Sequence, residues 1–222
     1  MADDIVALLA HLGVERADVM GYSLAGGVAL RTVIRHPDRV RTLVVMSTVY
    51  ARTGWDPEVR EDFDHMGPET AGGMEHSPLA QIYPDVSWPA LFTKIGDVQR
   101  QDYDWSRQIT ALSRPVLLVF AAADAVRTEH IMAFYALLGG GQRDASPNGS
   151  LRLTAQLAML PGRTHDDIIA DPALAPLVTP FLDIAMPRRA SSCFELVHVA
   201  AGRRCDRTDH RGHAMTYDRV AR

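Results

Sequence analysis

Along this chain, segments whose hydrophobic residues have helical spacing alternate with segments whose spacing is typical of strands. The first apolar positions follow an i, i+3, i+4, i+7 spacing, which predicts a helix with one buried face made of Ile5, Leu8, Leu9 and Leu12. Gly13 follows, as expected at a helix end. The next segments predict a strand over 17–21 and a helix over 24–36, which ends before Pro37.

The run VRTLVVM at 40–46 is almost continuously apolar and rich in valine, as is typical of a strand covered on both faces of a parallel sheet. Further along, the pattern predicts a strand over 115–121, a helix over 128–138, an exposed loop over 139–150 and a strand over 151–160. The segment 171–184 contains a final helix. Such alternation predicts an α/β fold with a parallel sheet flanked by helices, in one domain over 1–184.

The segment from about 50 to 113 interrupts this alternation. It combines five prolines, the glycine-containing stretch MGPETAGGM and short amphipathic pieces, which indicates a small helical insertion outside the sheet. Aromatic and methionine side chains are frequent in it and favour an apolar acyl or alkyl ligand, although most of them are expected to hold the insertion to the core: Trp55, Phe63, Met66, Met74, Tyr83, Trp88, Phe92, Tyr103 and Trp105.

The stretch VMGYSLAGG at 19–27 carries the clearest chemical signal. A short apolar strand runs into a glycine-framed turn with Ser23 at its tip, and a helix follows at once. This arrangement holds a serine hydroxyl above the end of a sheet as a nucleophile. The motif is G-x-S-x-A, with Gly21 two residues before the serine and Ala25, one methyl larger than glycine, two residues after it.

A serine nucleophile needs a histidine base and a carboxylate that orients this base. Asp124 follows the strand predicted at 115–121, and His165 follows the strand predicted at 151–160. Both are therefore expected at the carboxyl edge of a parallel sheet, where active sites form. Asp166, Asp167 and Asp183 are weaker candidates for the acid, and other histidines are expected on the surface: His11, His36, His65, His76 and His130.

The order Ser23, Asp124, His165 together with the serine turn resembles the α/β-hydrolase superfamily, in its branch of small esterases and other lid-bearing hydrolases. The resemblance covers about residues 1–184 and implies that the segment 50–113 is a lid. It also implies an oxyanion hole with the backbone N–H of Leu24 as one donor. In that family about four strands precede the helix with which this chain starts, so the resemblance implies that N-terminal strands, and the loop with the second oxyanion donor, are missing.

Composition narrows the possible partners and cofactors. A net charge of −4 gives no reason to expect nucleic acid or an acidic membrane as a partner, and no apolar run is long enough to span a bilayer. The start of the chain lacks the features of a signal peptide. A cytoplasmic protein is therefore expected. Neither a phosphate-binding glycine loop nor a dinucleotide or metal motif occurs, so we expect no cofactor and no metal.

The last segment, 185–222, has a different composition. It contains eight arginines and no lysine, as well as Cys193 and Cys205, whose separation does not match a zinc knuckle. We expect this tail to be disordered and to take no part in the chemistry.

These observations favour a hydrolase of carboxylic esters or related acyl compounds, with a small apolar substrate. Two alternatives remain. The same three residues could serve a lactonase, a C–C bond hydrolase or a cofactor-free perhydrolase. The chain could also be a truncated remnant without activity, or a small-molecule binding module. Oligomeric state is not predicted.

Overall fold

The computed structural model describes residues 1–142, 144, 146, 147, 153–184, 207, 208, 214 and 215. The chain divides into two compact units, Met1–Ala185 and Met186–Arg222. In the second unit, the described residues form a short antiparallel ladder of Arg207–Thr208 with Ala214–Met215. Apart from this ladder, the tail that we expected to be disordered lies outside the described residues.

A four-stranded parallel sheet forms the centre of the first unit. Its strands lie side by side in chain order, and each neighbouring pair is parallel: β1 (Ala17–Tyr22), β2 (Val40–Met46), β3 (Val116–Ala123) and β4 (Ala155–Thr164). The predicted fold class, a parallel sheet flanked by helices, is confirmed. Because all strands run the same way, the loops that follow them emerge at one edge.

Helices connect the strands and cover the sheet: α1 (Ala2–His11), α2 (Leu24–Arg35), α3 (Pro57–Asp64), α4 (Pro78–Ile82), α5 (Trp88–Gln99), α6 (Ser106–Thr110), α7 (Thr128–Leu137) and α8 (Leu174–Ile184). The segment 50–113, which we call the cap, contains α3 to α6 and lies between β2 and β3. None of the described helices is both long and apolar enough to cross a bilayer.

The core has two sides because successive residues of a strand face opposite surfaces of the sheet. Leu43 and Val45 of β2 pack in a cluster with α2 and α7, whereas Val44 and Met46 pack in a second cluster with α8. All four side chains are buried. The continuous apolar run of β2 is thus explained by helices on both faces.

Strand β4 differs from its predicted bounds. It begins at Ala155 and continues past the expected end at Leu160, through Pro161 and Gly162, to pair Thr164 with Ala123. Proline cannot donate a backbone hydrogen bond, but β4 is an edge strand, so one side of it needs no partner. Residues 151 and 152 lie outside the described residues.

The predicted buried face of α1 is only partly buried. Leu8 and Leu12 are 52% and 61% exposed, and Ile5 and Leu9 are half-buried. The reason is that α1 packs mainly against α2. The neighbouring edge strand β1 also exposes an apolar side chain, since Met20 is 47% exposed.

Helix α7 allows a matched test of this core. Phe134 is fully buried between the sheet and the cap base, whereas Met132, two residues earlier, is 50% exposed. We expect Phe134→Ala to lower the free energy of unfolding by about 3–5 kcal/mol through lost burial and a new cavity. Met132→Ala should change it by less than about 0.5 kcal/mol. Urea unfolding of both variants measures this, and similar losses would contradict the described packing.

Candidate active site

Ser23 occupies a strained turn between β1 and α2. Its backbone has φ 52° and ψ −123°, a conformation that is costly for a residue with a side chain. The turn is held from the sheet side, because the N–H of Ser23 donates to the carbonyl of Met46 at 2.9 Å. The end of β1 and the start of α2 therefore fix the position of Ser23 in a turn between strand and helix, as the sequence predicted.

The structure explains why the motif tolerates alanine at one end and requires glycine at the other. A Cβ on Gly21 would lie 2.2 Å from the carbonyl oxygen of Ala25, which no side-chain adjustment relieves. Ala25 itself is exposed, so its methyl group meets no obstacle. Gly26 is the second tight position, since a Cβ there would come within 2.9 Å of the Thr48 side chain.

The three predicted site residues lie within hydrogen-bonding distance of one another. His165 Nε2 is 3.0 Å from Ser23 Oγ, and His165 Nδ1 is 2.9 Å from Asp124 Oδ1. A carboxylate can only accept, so the Nδ1 proton is donated to Asp124 and Nε2 is free to accept the serine proton. The Asp124 side chain is 1% exposed and that of His165 19% exposed, which leaves the histidine partly open to a ligand.

Asp124 also forms hydrogen bonds with groups other than His165. Its second oxygen, Oδ2, accepts hydrogen bonds from Ser47 Oγ at 2.6 Å and from the backbone N–H of Ala121 at 3.0 Å. Burial by itself raises the pKa of Asp124. The hydrogen bonds from His165, Ser47 and Ala121 outweigh this, so the pKa lies below its ordinary value and the carboxylate stays charged.

Ser47 was missed by the sequence analysis. It is fully buried, follows β2 and has a positive φ of 47°, so its hydroxyl turns toward the loop after β3. A signal did exist: a serine directly after a buried apolar strand lies at the same sheet edge as the other site residues. It carries no recognisable motif, and its partner is 77 residues away.

Two aromatic residues hold His165 in place. The Tyr22 hydroxyl donates to the backbone carbonyl of His165 at 2.6 Å, and the two rings are 5.2 Å apart. On another side, the buried indole of Trp55 meets the imidazole edge to face at 5.7 Å. Tyr22 directly precedes the serine in the G-x-S-x-A motif, and Trp55 comes from the start of the cap.

Leu24 has the position expected of the predicted oxyanion donor. It is the first residue of α2, where backbone N–H groups have no acceptor within the helix and the helix dipole is positive. This N–H follows the serine directly, as the turn geometry requires for a donor.

One histidine prediction was wrong. His130 of α7, expected on the surface, stacks on Tyr50 at 3.9 Å and accepts the backbone N–H of Tyr50 at 3.2 Å. Burial lowers its pKa to about 4, so it is neutral at physiological pH and joins α7 to the base of the cap. Within the described ranges, no group of three or more His, Cys, Asp or Glu is placed to hold a metal ion.

Comparisons with known proteins agree with this architecture. The family model described as "alpha/beta hydrolase fold" matches residues 1–82. A hydrolase from Pseudomonas aeruginosa PA01 superimposes with a TM-score of 0.56 at 23% identity, over 82% of this chain and 70% of that one. A meta-cleavage product hydrolase from Pseudomonas fluorescens IP01 gives 0.58 at 18% identity, over 83% and 71%. The chain has the α/β-hydrolase fold.

Among curated relatives, a Caulobacter sp. (strain K31) protein named "Putative carbamate hydrolase RutD" is 42% identical over 67 residues. This match covers 29% of this chain but only 23% of the relative. A 2-hydroxymuconate semialdehyde hydrolase of Pseudomonas sp. (strain CF600) is 50% identical over 46 residues, which are 21% of this chain and 16% of that protein. The chain thus aligns with less than a third of either relative's length.

The hydrogen bond from Ser47 to Asp124 leads to a prediction about the pH dependence of stability. Because the folded pKa of Asp124 is depressed, its carboxylate stabilises the fold above the unfolded pKa, near 4, and this stability is lost as the pH falls through the folded pKa. Ser47→Gly removes one donor and so raises the folded pKa. We expect a loss of about 2 kcal/mol at pH 7, and this difference from the native chain should shrink as the pH falls through the folded pKa values, because protonated Asp124 no longer depends on the donor as an ion.

Urea unfolding between pH 3 and pH 7 measures this effect. Ser47→Ala serves as a comparison: it also lacks the hydroxyl but must place a Cβ at positive φ, so it should be about 1 kcal/mol less stable than Ser47→Gly. In an Asp124→Asn background the pH-dependent part of the Ser47→Gly effect should vanish. If it persists there, the Ser47 hydroxyl does not act through Asp124.

Proposed function

We propose that this chain carries the active site of a serine hydrolase that cleaves carboxylic esters or related acyl compounds. The observation that carries the proposal is the pair of contacts at His165, which lies 3.0 Å from Ser23 Oγ on one side and 2.9 Å from the buried Asp124 carboxylate on the other. A base between a hydroxyl and a buried carboxylate is the arrangement that activates serine as a nucleophile.

The reaction follows from the positions of these atoms. Ser23 Oγ attacks the substrate carbonyl carbon while its proton passes to His165 Nε2. The carbonyl oxygen becomes an oxyanion that accepts a hydrogen bond from the N–H of Leu24. His165 then gives the proton to the departing alkoxide oxygen, and an acyl-Ser23 ester remains.

Release of the acyl group repeats these steps with water. His165 Nε2 takes a proton from a water molecule as this water attacks the acyl carbon, and the bond to Ser23 Oγ breaks as the serine regains a proton. Asp124 stays ionised throughout and stabilises the imidazolium that forms twice in the cycle. The carboxylate is suited to this role because its hydrogen bonds lower its pKa despite burial.

The names of similar proteins support hydrolysis, but they differ in the type of bond that is cleaved. They include a meta-cleavage product hydrolase and an enol-lactonase from Burkholderia xenovorans LB400, both of which share the fold at under 25% identity. Lactone and C–C bond cleavage could use the same three residues. An ester is the primary proposal because Ser23 has a base and a neighbouring backbone donor, which ester cleavage requires.

Labelling with a fluorophosphonate and hydrolysis of p-nitrophenyl butyrate test the proposal on the 222-residue chain. We expect Ser23→Ala to abolish labelling and Asp124→Asn to lower kcat by a factor on the order of 10⁴ through loss of the correct histidine tautomer. Ser113→Ala, which changes an exposed serine before β3, is the matched control and should label fully.

Circular dichroism and a cooperative unfolding transition should accompany these assays. Esterase activity that survives Ser23→Ala would refute the proposal. A folded chain that neither labels nor turns over the ester would instead favour a binding module or an inactive remnant.

A further inference from the structure

A cavity of about 300 Å³ lies between α2, the first two residues of the chain and the cap. Leu24, directly after the serine, lines it, as does Trp55, whose ring meets that of His165. An acyl group attached to Ser23 would therefore have this cavity next to it. The α2 side of the cavity is one helical stripe at i, i+4, i+7 and i+11, made of Leu24, Val28, Arg31 and Arg35.

Arg31 brings a positive charge into this cavity that no carboxylate of the described residues neutralises. The other arginine of the stripe differs, because Arg35 is paired with Asp3 at 2.8 Å. In the part of the chain that the structure describes, no acidic side chain lines the cavity. Tyr103, which does line it, is kept neutral because burial raises its pKa to about 12. A half-buried cation without a counter-ion attracts an anion strongly.

The guanidinium of Arg31 is also held in position. It lies over the ring of Trp105 at 5.0 Å, and Trp105 in turn stacks on Tyr103 at 4.4 Å. The planar guanidinium can stack on an aromatic face and still donate from its edges to both oxygens of a carboxylate. The stack therefore orients Arg31 without using up its hydrogen-bond donors.

The spacing along α2 sets the length of a ligand that could reach both Ser23 and Arg31. Arg31 lies eight positions after Ser23, which corresponds to about 12 Å of helix rise. Long side chains on a helix lean toward its N-terminus, here toward Ser23, so the gap is roughly 6–10 Å. An acyl chain of about five to eight carbons spans such a gap.

From these observations we infer that Arg31 binds a carboxylate at the far end of the acyl group. The preferred substrates are then monoesters of dicarboxylic acids, or similar acyl compounds with a terminal carboxylate, rather than wholly apolar esters. This inference rests on the proposed function, because it takes Ser23 as the point where the acyl carbon is attacked. The aromatic residues of the cavity contact the chain between the two ends.

Two esters of equal acyl length test the inferred role of Arg31. One is p-nitrophenyl hexanoate, which is neutral, and the other is the p-nitrophenyl monoester of adipic acid, which is anionic. The native chain should prefer the anionic ester in kcat/KM. Arg31→Met keeps the length of the side chain but removes its charge, and should lower the ratio of anionic to neutral kcat/KM by about 10–100-fold, mainly through KM. Arg31→Lys should restore part of the ratio.

Arg107→Met is the control, since Arg107 is an exposed arginine of α6 outside the cavity. It should leave the ratio unchanged. An equal fall for both esters in Arg31→Met, or a native chain that prefers the neutral ester, would overturn the assignment of Arg31 as the carboxylate contact.

A binding measurement separates this inference from the proposed function. Titration calorimetry with adipate, hexanoate and 1-hexanol needs no turnover. Tighter binding of hexanoate and adipate than of 1-hexanol, lost in Arg31→Met, supports the carboxylate site even if neither ester is hydrolysed, in which case only the proposed function fails. Equal adipate binding by the native chain and Arg31→Met overturns the site, whatever the esterase assay gives.

Discussion

The parallel alignment of four strands is the constraint on which the rest of this structure depends. Each strand ends at the same edge of the sheet, and the loop after each one contributes a single side chain: Ser23 after β1, Ser47 after β2, Asp124 after β3 and His165 after β4. These four side chains form one continuous chain of hydrogen bonds. A site spread over 143 residues of sequence is compact because the strands bring their ends together.

Backbone strain marks both ends of this hydrogen-bonded chain. Ser23 and Ser47 each have a positive φ, at 52° and 47°, which is unfavourable for residues other than glycine. In each case the surrounding sheet holds the residue, since the N–H of Ser23 bonds to Met46 and that of Ser47 to Val119. The strain turns both hydroxyl groups toward their acceptors, so the stability of the buried sheet supports the geometry of the site.

Local signals were sufficient for most elements and for the strand-end positions of the proposed site residues. The valine-rich run of β2 has the predicted bounds, and the serine turn, Asp124 and His165 lie where the strand ends placed them. Predictions failed where a neighbour in space decides the outcome. Leu8 and Leu12 have helical spacing but little covering them, and β4 continues through Pro161 because an edge strand needs no partner on one side.

The sequence by itself determined the order of helices and strands, the serine turn and the candidates for its base and acid. These depend on periodicity, glycine at close backbone approaches and the position of a residue after a strand, all of which are local properties. Only the tertiary structure decided that Ser47 bonds Asp124, that His130 is half-buried against Tyr50, and that Arg31 faces a cavity without a carboxylate partner among the described residues. Such contacts join residues far apart in the chain, and no local pattern encodes which side chains the packing of sheet, helices and cap will bring together.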